Sequence, residues 1–306
     1  MKIRTLFFFT SIIAINILAA EIPPLAPLLM ESTFKIEGAS LDGKSSIGSC
    51  FIFLVDDPAN TNKSRITLVT ANHVLSDIGA DTATLHLRKK LDTGVWNEMP
   101  VTIPIRTQSV PLWTRHPEAD VAAIFISLPI DIVDSQRWLG ENLLAGDDVF
   151  KNRDIQPGDE LMCLGYPLNI QANDSGFPIL RSGRIASYPV WPSSTVKTFL
   201  YDIPIYGGNS GGPVFFDYRN RRIPGEDFSK TVDVIGIAGL ISKDVSSTVH
   251  IESYFETSTR RDPLGLAVVV PAEFIRQTID ILVKTISPPQ QPVPGYDAQG
   301  ASSPEP

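Results

Sequence analysis

The chain is poor in the residues that anchor most cofactor chemistry. It has two cysteines and four histidines in 306 residues, and no Cys/His cluster has the spacing of a metal site. No bound metal is expected. No glycine loop has a phosphate-binding or dinucleotide pattern, so no cofactor is expected either. Basic residues are outnumbered: 26 Lys and Arg stand against 34 Asp and Glu, for a formal charge of −8. An acidic balance argues against nucleic acid or an anionic membrane as partner. Beyond one N-terminal stretch, no segment approaches the roughly 20 apolar residues that span a bilayer.

That N-terminal stretch reads as a leader. Lys2 and Arg4 precede the apolar run Leu6 to Leu18, and Ala19-Ala20 follow. A basic start, an apolar middle and small residues at the end mark a secretory signal peptide over 1–20. Retention as an uncleaved anchor is the other reading of the same residues. No cysteine follows the run, which argues against a lipoprotein. Cleavage removes Lys2 and Arg4 and takes the charge to about −10. The mature chain is expected to be exported. In that compartment Cys50 and Cys163 allow one disulfide joining the two halves of the chain, or two buried thiols.

The richest stretch is Gly207-Gly208-Asn209-Ser210-Gly211-Gly212-Pro213-Val214. Glycines on both sides of Ser210 permit a tight turn and a close approach of substrate to backbone. Such a turn can aim N–H groups at a developing oxyanion. A serine hydroxyl needs a base, and the chain offers two candidate partners, one after a strand-like run and one at the mouth of another. His73 lies in Thr70-Ala71-Asn72-His73-Val74, and Asp120 opens Asp120-Val121-Ala122-Ala123-Ile124. The separations are 47 and 90 residues, each long enough for several short strands. The order His, Asp, Ser is one of the three known chain orders of the Ser-His-Asp constellation. Gly208 to Gly212 also fits the G-x-S-x-G elbow of α/β-hydrolases, which requires a helix after the serine. Here Gly-Gly-Pro and the strand-like Val214-Phe215-Phe216 follow, and His250 would have to be the base. His86, His116 and His250 have no comparable context and read as structural or surface residues.

Apolar, β-branched runs recur between turn signals. In the first half they are Phe51 to Val55, Ile66 to Val69, Ala83 to Leu87 and Val121 to Ile126. In the second half they are Glu160 to Leu164, Pro178 to Ile185, Thr198 to Ile203, Val214 to Phe216, Val232 to Leu240 and Leu266 to Val270. Asp134 to Asp159 reads as the connection, while Asp217 to Lys230 and Ser242 to Asp262 read as long surface loops. Phe274, Ile275, Thr278, Ile279, Leu282, Val283 and Ile286 keep a helical period and predict a closing helix packed on the second half. The Pro-rich stretch from 287 to 306 cannot build a core and is expected to be disordered.

Taken in order, these segments resemble the trypsin-fold serine proteases, and most closely the HtrA (Deg) branch. The resemblance rests on Gly48 to Phe53, Thr70 to Val74, Asp120 to Ile126, Gly165-Tyr166-Pro167, Ser182 to Ser187, Asp202 to Val214, Val234 to Ile237 and Gly265 to Pro271. It spans about Ile36 to Ile286.

The resemblance implies an all-β fold of two antiparallel six-stranded β-barrels with a C-terminal helix. The protease domain would be 21–286, with barrels at roughly 34–135 and 158–271 and the helix at 272–286. It implies an endopeptidase with His73, Asp120 and Ser210 as triad, an oxyanion hole at Gly208 and Ser210, and a polypeptide substrate. Pro204 and Ile205 would form the base of the primary pocket. Ala238, Gly239, Leu240, Ile241 and Ala267 would form its walls, with the peptide added as a strand along Ala238 to Ile241. No charge lies in these segments, so cleavage after small or medium apolar residues is expected. The branch points to a bacterial periplasmic or secreted protein, and to a possible trimer through Glu21 to Thr33.

Several features depart from the branch. Only 35 residues follow Pro271, too few for a PDZ domain. Cys50 stands where the branch usually has glycine. The segment Leu168 to Pro178 is long. Asn209, a feature shared with the branch, stands where digestive proteases carry an aspartate that pairs with a newly cut N-terminus, so activity is expected without a second N-terminal cut. The competing reading is a resting or inactive protease fold that grips peptides, and a third is an esterase with the same machinery.

Overall fold

The computed structural model describes residues 24–58, 60–225, 227, 230–252 and 257–286. The expected leader (1–20) and tail (287–306) lie outside them. The first half holds helix α1 (Leu25–Ser32), strands β1 (Thr33–Ala39), β2 (Ser45–Asp57) and β3 (Asn60–Thr70), helix α2 (Asn72–Asp77), then β4 (Thr82–Lys90), β5 (Trp96–Pro104), β6 (Arg106–Thr107), β7 (Val110–Pro111), β8 (Thr114–Arg115) and β9 (Ala122–Phe125). The connection carries α3 (Ile130–Val133), β10 (Leu139–Gly140) and α4 (Asp147–Asn152). The second half holds β11 (Glu160–Gly165), β12 (Ile179–Ile185), β13 (Phe199–Asp202), β14 (Pro213–Arg221), β15 (Val232–Glu252) and β16 (Thr257–Pro271), closed by α5 (Ala272–Lys284).

Every strand-like run singled out above between Phe51 and Val270 lies on or contains a strand. In the first half they form one antiparallel path, β5-β4-β1-β2-β3-β9-β8, with β10 added parallel to β2. The second half closes fully as a six-stranded barrel, β11-β12-β13-β16-β15-β14. Gly48 to Phe53 on β2 are all buried, because one face looks into the first core and the other meets the second half. A continuous apolar run rather than an alternating one is the mark of such a strand.

Two expectations change and one open alternative is decided. The polar segment 242–262 is largely strand, and only the first residues of 217–230 are. β14 runs on to Arg221, and β15 and β16 continue as a ribbon from Val245↔Leu266 to Glu252↔Thr257. Its described side chains from Lys243 to Thr248 are half-buried or exposed, without the alternation that marks a strand in sequence. The closing helix forms where expected, but its buried face joins a core that both halves share rather than the second half alone. Phe274, Ile275, Ile279 and Leu282 cluster with Leu68, Val69 and Ala123. The chain leaves the second barrel at Pro271 and lays α5 against β8 and β9 of the first half and against β15 and β16 of the second. Each such side chain contributes about 1.5–3 kcal/mol when fully buried. Lastly, Cys50 and Cys163 are both free and buried, so no disulfide joins the halves. Among the described residues no helix is long and apolar enough to cross a membrane.

Candidate active site

His73 sits in the first turn of α2, directly after β3. Its position is set by close packing at two points. Thr70 Oγ1 donates to the Ser49 carbonyl at 2.7 Å, and Val74 packs where a side chain on Gly48 would otherwise stand. Trp113 Nε1 donates to Asn72 Oδ1 at 3.1 Å, which holds the start of the helix. Asp120 lies in the turn before β9. His116 Nδ1 accepts from the backbone N–H groups of Glu118 and Ala119, both at 3.1 Å, and its Nε2 meets Gln277 Oε1 on α5 at 3.0 Å. His116 is thus a structural histidine that shapes the turn presenting Asp120. His86 is structural too, held between Glu37 and Glu98 at 2.8 and 2.6 Å. The backbone of His250 lies on β15, and its side chain is outside the described set.

The structure brings His73, Asp120 and Ser210 into one hydrogen-bonded set. Asp120 Oδ1 accepts from the His73 backbone N–H at 3.0 Å, and Oδ2 meets His73 Nδ1 at 2.7 Å. Ser242 Oγ donates to the same Oδ2 at 2.6 Å. Ser210 Oγ in turn donates to the Ser242 carbonyl at 3.0 Å. Burial alone would raise the Asp120 pKa, yet its hydrogen bonds to His73 and Ser242 leave it below the ordinary carboxylate value. Burial likewise disfavours protonated His73, but the bond and charge of Asp120 outweigh it and lift the imidazole above its usual value, while Lys243 opposes the rise. A carboxylate that accepts several donors stays ionised and holds the imidazole with a proton on Nδ1. The Nε2 lone pair is left as a base.

The turn around Ser210 is fixed by its carbonyls. Leu168 N–H donates to Gly207 O at 2.7 Å, Ser49 Oγ to Gly208 O at 2.7 Å, Gly212 N–H to Asn209 O at 3.0 Å, and Ser49 N–H to Ser210 O at 2.8 Å. In a planar trans peptide the C=O and N–H point opposite ways. Anchoring the carbonyls of Gly207 and Asn209 therefore sets the directions of the Gly208 and Ser210 N–H groups. Gly208 has φ of +97°, and a Cβ there would lie 2.1 Å from the Tyr166 carbonyl oxygen. Gly211 has φ of +83°, and a Cβ there would lie 2.1 Å from Thr70 Oγ1. Only glycine fits either place.

The predicted pocket residues are placed less simply. Ile205, Ala238, Leu240, Ile241 and Ala267 are buried, and Pro204 is exposed. Gly239 and Leu240 pair with β14 on one edge and β16 on the other. Ile241 exchanges backbone bonds with Gly211 and Gly212. The stretch 238–241 therefore has no free edge to accept a peptide strand, which corrects that expectation. The pairing of β15 with β14 ends at Leu240, and its next residues, Lys243, Asp244 and Val245, stay paired only to β16. Two charges, Lys243 and Asp244, thus enter the surroundings of a site expected to be free of charge. The backbone of Pro204 also accepts a hydrogen bond from the Arg181 guanidinium.

Ser242 and Ser49 were not legible as site residues. Ser242 follows an apolar run and reads as the first residue of a loop, and Ser49 reads as part of a strand. The signal that could have raised them is a hydroxyl amid buried strand, since buried hydroxyls seek a partner. A separate groove of about 430 Å³ under α5, lined by His116, Glu118, Lys197, Phe274 and Lys284, shares no residue with the Ser210 set. Among the described residues no group of His, Cys, Asp and Glu could hold a metal ion.

A two-half β-fold with His73, Asp120 and a glycine-framed Ser210 defines a peptidase of the trypsin-like class. Residues 48–223 match the family of the trypsin-like peptidase domain, more than half of the sequence, and the chain belongs to that family. Two solved structures are similar in shape. The protease Anisep from Arthrobacter nicotinovorans has 15% identity and a TM-score of 0.48, covering 84% of this chain and 97% of that one. A thermostable serine protease, AL20, from an extremophilic microorganism has 13% identity and a TM-score of 0.46, covering 84% and 98%. No curated protein sequence matches the chain.

Proposed function

We propose that the protein is an exported serine endopeptidase, nearest in kind to the HtrA branch, that cuts polypeptides through an acyl-enzyme. The observation that carries this reading is the connected set His73–Asp120–Ser242–Ser210. Turning Ser210 about its side-chain bond takes the hydroxyl from the Ser242 carbonyl towards His73 Nε2. Ser210 Oγ then attacks the substrate carbonyl while His73 accepts its proton, and the imidazolium returns that proton to the leaving amine. Asp120 orients the ring and stabilises its charged form. The N–H groups of Gly208 and Ser210 receive the oxyanion, where loss of one donor costs about 10²- to 10³-fold in rate. A water then repeats the cycle to release the acyl group.

The peptide lies as an extra strand from Ser242 onward, where β15 is no longer paired to β14. Ile205 and Ala267 give the primary pocket an apolar lining of modest size, suited to small or medium apolar side chains, with Lys243 and Asp244 at its margin. The orientation of Ser210 towards Ser242 favours one second reading, a resting state that grips peptides before it cuts them.

The test is digestion of casein and an unfolded protein by the chain from Glu21 onward, beside Ser210→Ala, with the cut sites read by mass spectrometry. Cleavage after small apolar residues, lost in the variant, is the expected result. Equal cleavage by Ser210→Ala would end the serine reading, and cuts after Arg or Lys would end the pocket assignment.

A further inference from the structure

The segment after β11 holds the Gly207 carbonyl, and it does so in a conformation that needs support. Leu168 has φ of +52° and Asn169 φ of +64°. Two successive side-chain-bearing residues in the left-handed region are uncommon and persist where the surroundings hold them. Leu168 is nonetheless the donor to Gly207 O at 2.7 Å. The support comes from the first half of the molecule. Lys35 on β1 is buried, and its Nζ donates to Asn169 Oδ1 at 3.0 Å.

Arg88 on β4 is fully buried and, among the described residues, has no carboxylate as a hydrogen-bond partner. Its Nη1 donates to Tyr166 Oη at 3.0 Å and to Gly176 O at 2.7 Å. Its Nη2 donates to the carbonyls of Met30, Glu31 and Thr33 at 2.9, 3.0 and 2.7 Å. Its guanidinium lies 4.5 Å from the ring centres of both Phe34 and Phe177. One side chain therefore ties both ends of the 166–176 segment to the start of β1. Within the segment, Asn169 N–H returns to Tyr166 O at 3.1 Å, the same carbonyl against which Gly208 packs.

We propose that Lys35 and Arg88 are positioning residues. Through the 166–176 segment they keep the Leu168 N–H on Gly207 O, and so keep the Gly208 N–H turned towards the oxyanion. The inference rests on the serine-peptidase reading and on Gly208 as a donor. It assigns to two cations of the first half, reaching across the molecule, the task that the Asn209 side chain, which bears no charge, cannot perform by an ion pair.

The experiment compares Lys35→Met, Asn169→Gly and the double variant in hydrolysis of a peptide ester. Glycine keeps the left-handed backbone at 169 and deletes only the acceptor. Each single variant is expected to lower kcat about 10- to 10³-fold, up to the loss of one oxyanion donor, with KM changed less than about threefold, as fits an interaction realised in the transition state. The acid limb of the pH profile should stay in place, since His73 is untouched. The double variant should be no worse than the poorer single one, because both break one contact, and Lys35→Arg should recover most of the rate. If Lys35→Met fails to fold, Asn169→Gly alone decides. A kcat within about threefold of the parent in folded Asn169→Gly, or losses that multiply in the double variant, would overturn the proposal. Turnover that survives in Ser210→Ala would instead sink the serine reading beneath it.

Discussion

Replacing Gly208 by alanine, with Gly207→Ala as its twin, separates the geometry of the turn from its composition. At Gly208 the added carbon meets the Tyr166 carbonyl oxygen at 2.1 Å, and at Gly207 it meets nothing within 4 Å. The φ of +97° at Gly208 is one that L-residues rarely adopt, at a cost of about 1–3 kcal/mol. Crowding against backbone that cannot swing aside adds about 1–3 kcal/mol. If the turn stays in place, the sum is about 2–6 kcal/mol, or some 4–24 °C in Tm at about 2–4 °C per kcal/mol for a domain of this size. If the turn moves to relieve the contact, the Gly208 N–H leaves its direction, and kcat falls about 10²- to 10³-fold. Thermal melts and steady-state ester hydrolysis on both variants read the two outcomes. Gly207→Ala should keep both values near the parent. A Gly208→Ala protein with parental Tm and kcat within about threefold would refute the placement of this turn.

Further consequences concern charge and thiols. On the proposed mechanism His73 must be neutral to act as base; its pKa is raised, so kcat/KM should climb as pH rises through a value above the ordinary 6.5 or so. Lys243 opposes the rise, so Lys243→Met should move this limb to higher pH, and a shift to lower pH would contradict the placement of that charge. The raised pKa of His73 contributes stability that is complete below the unfolded value and lost as pH rises through the folded one. The lowered pKa of Asp120 contributes stability present above the unfolded value and lost as pH falls through the folded one. Asp120→Asn should therefore flatten Tm against pH on both flanks, and an unchanged profile would dissociate the pair from stability. Burial pushes the Cys163 thiol up to about 11 and raises that of Cys50 as well. Neither should react with iodoacetamide in the native protein, and both should react after denaturation without reductant. A requirement for reductant would contradict the free thiols.

Much of the fold was legible because its strands are short apolar runs between turns, and a run such as Val121 to Ile126 has little else to become. His73, Asp120 and Ser210 were legible because each stands in a local context and all three fall in one order. The residues that complete the site were not, since Ser49, Ser242, Lys35 and Arg88 act through contacts between residues far apart in sequence, such as Ser49 with Gly208, Lys35 with Asn169 and Ser242 with Asp120. Nothing local distinguishes Arg88 from Lys89 and Lys90 beside it, although the first is fully buried and the other two are not. The 242–262 ribbon escaped notice because its sequence is polar and lacks an apolar alternation. The pocket walls were misjudged because a run such as Ala238 to Ile241 does not reveal that both its edges are occupied.

The central claim is that Ser210 is a nucleophile activated by His73, and a fluorophosphonate probe tests it most directly. Intact-mass and peptide mass spectrometry should find one adduct, on Ser210, absent from Ser210→Ala and formed far more slowly in His73→Ala. No adduct on the folded chain, or an adduct on another residue, would contradict the account.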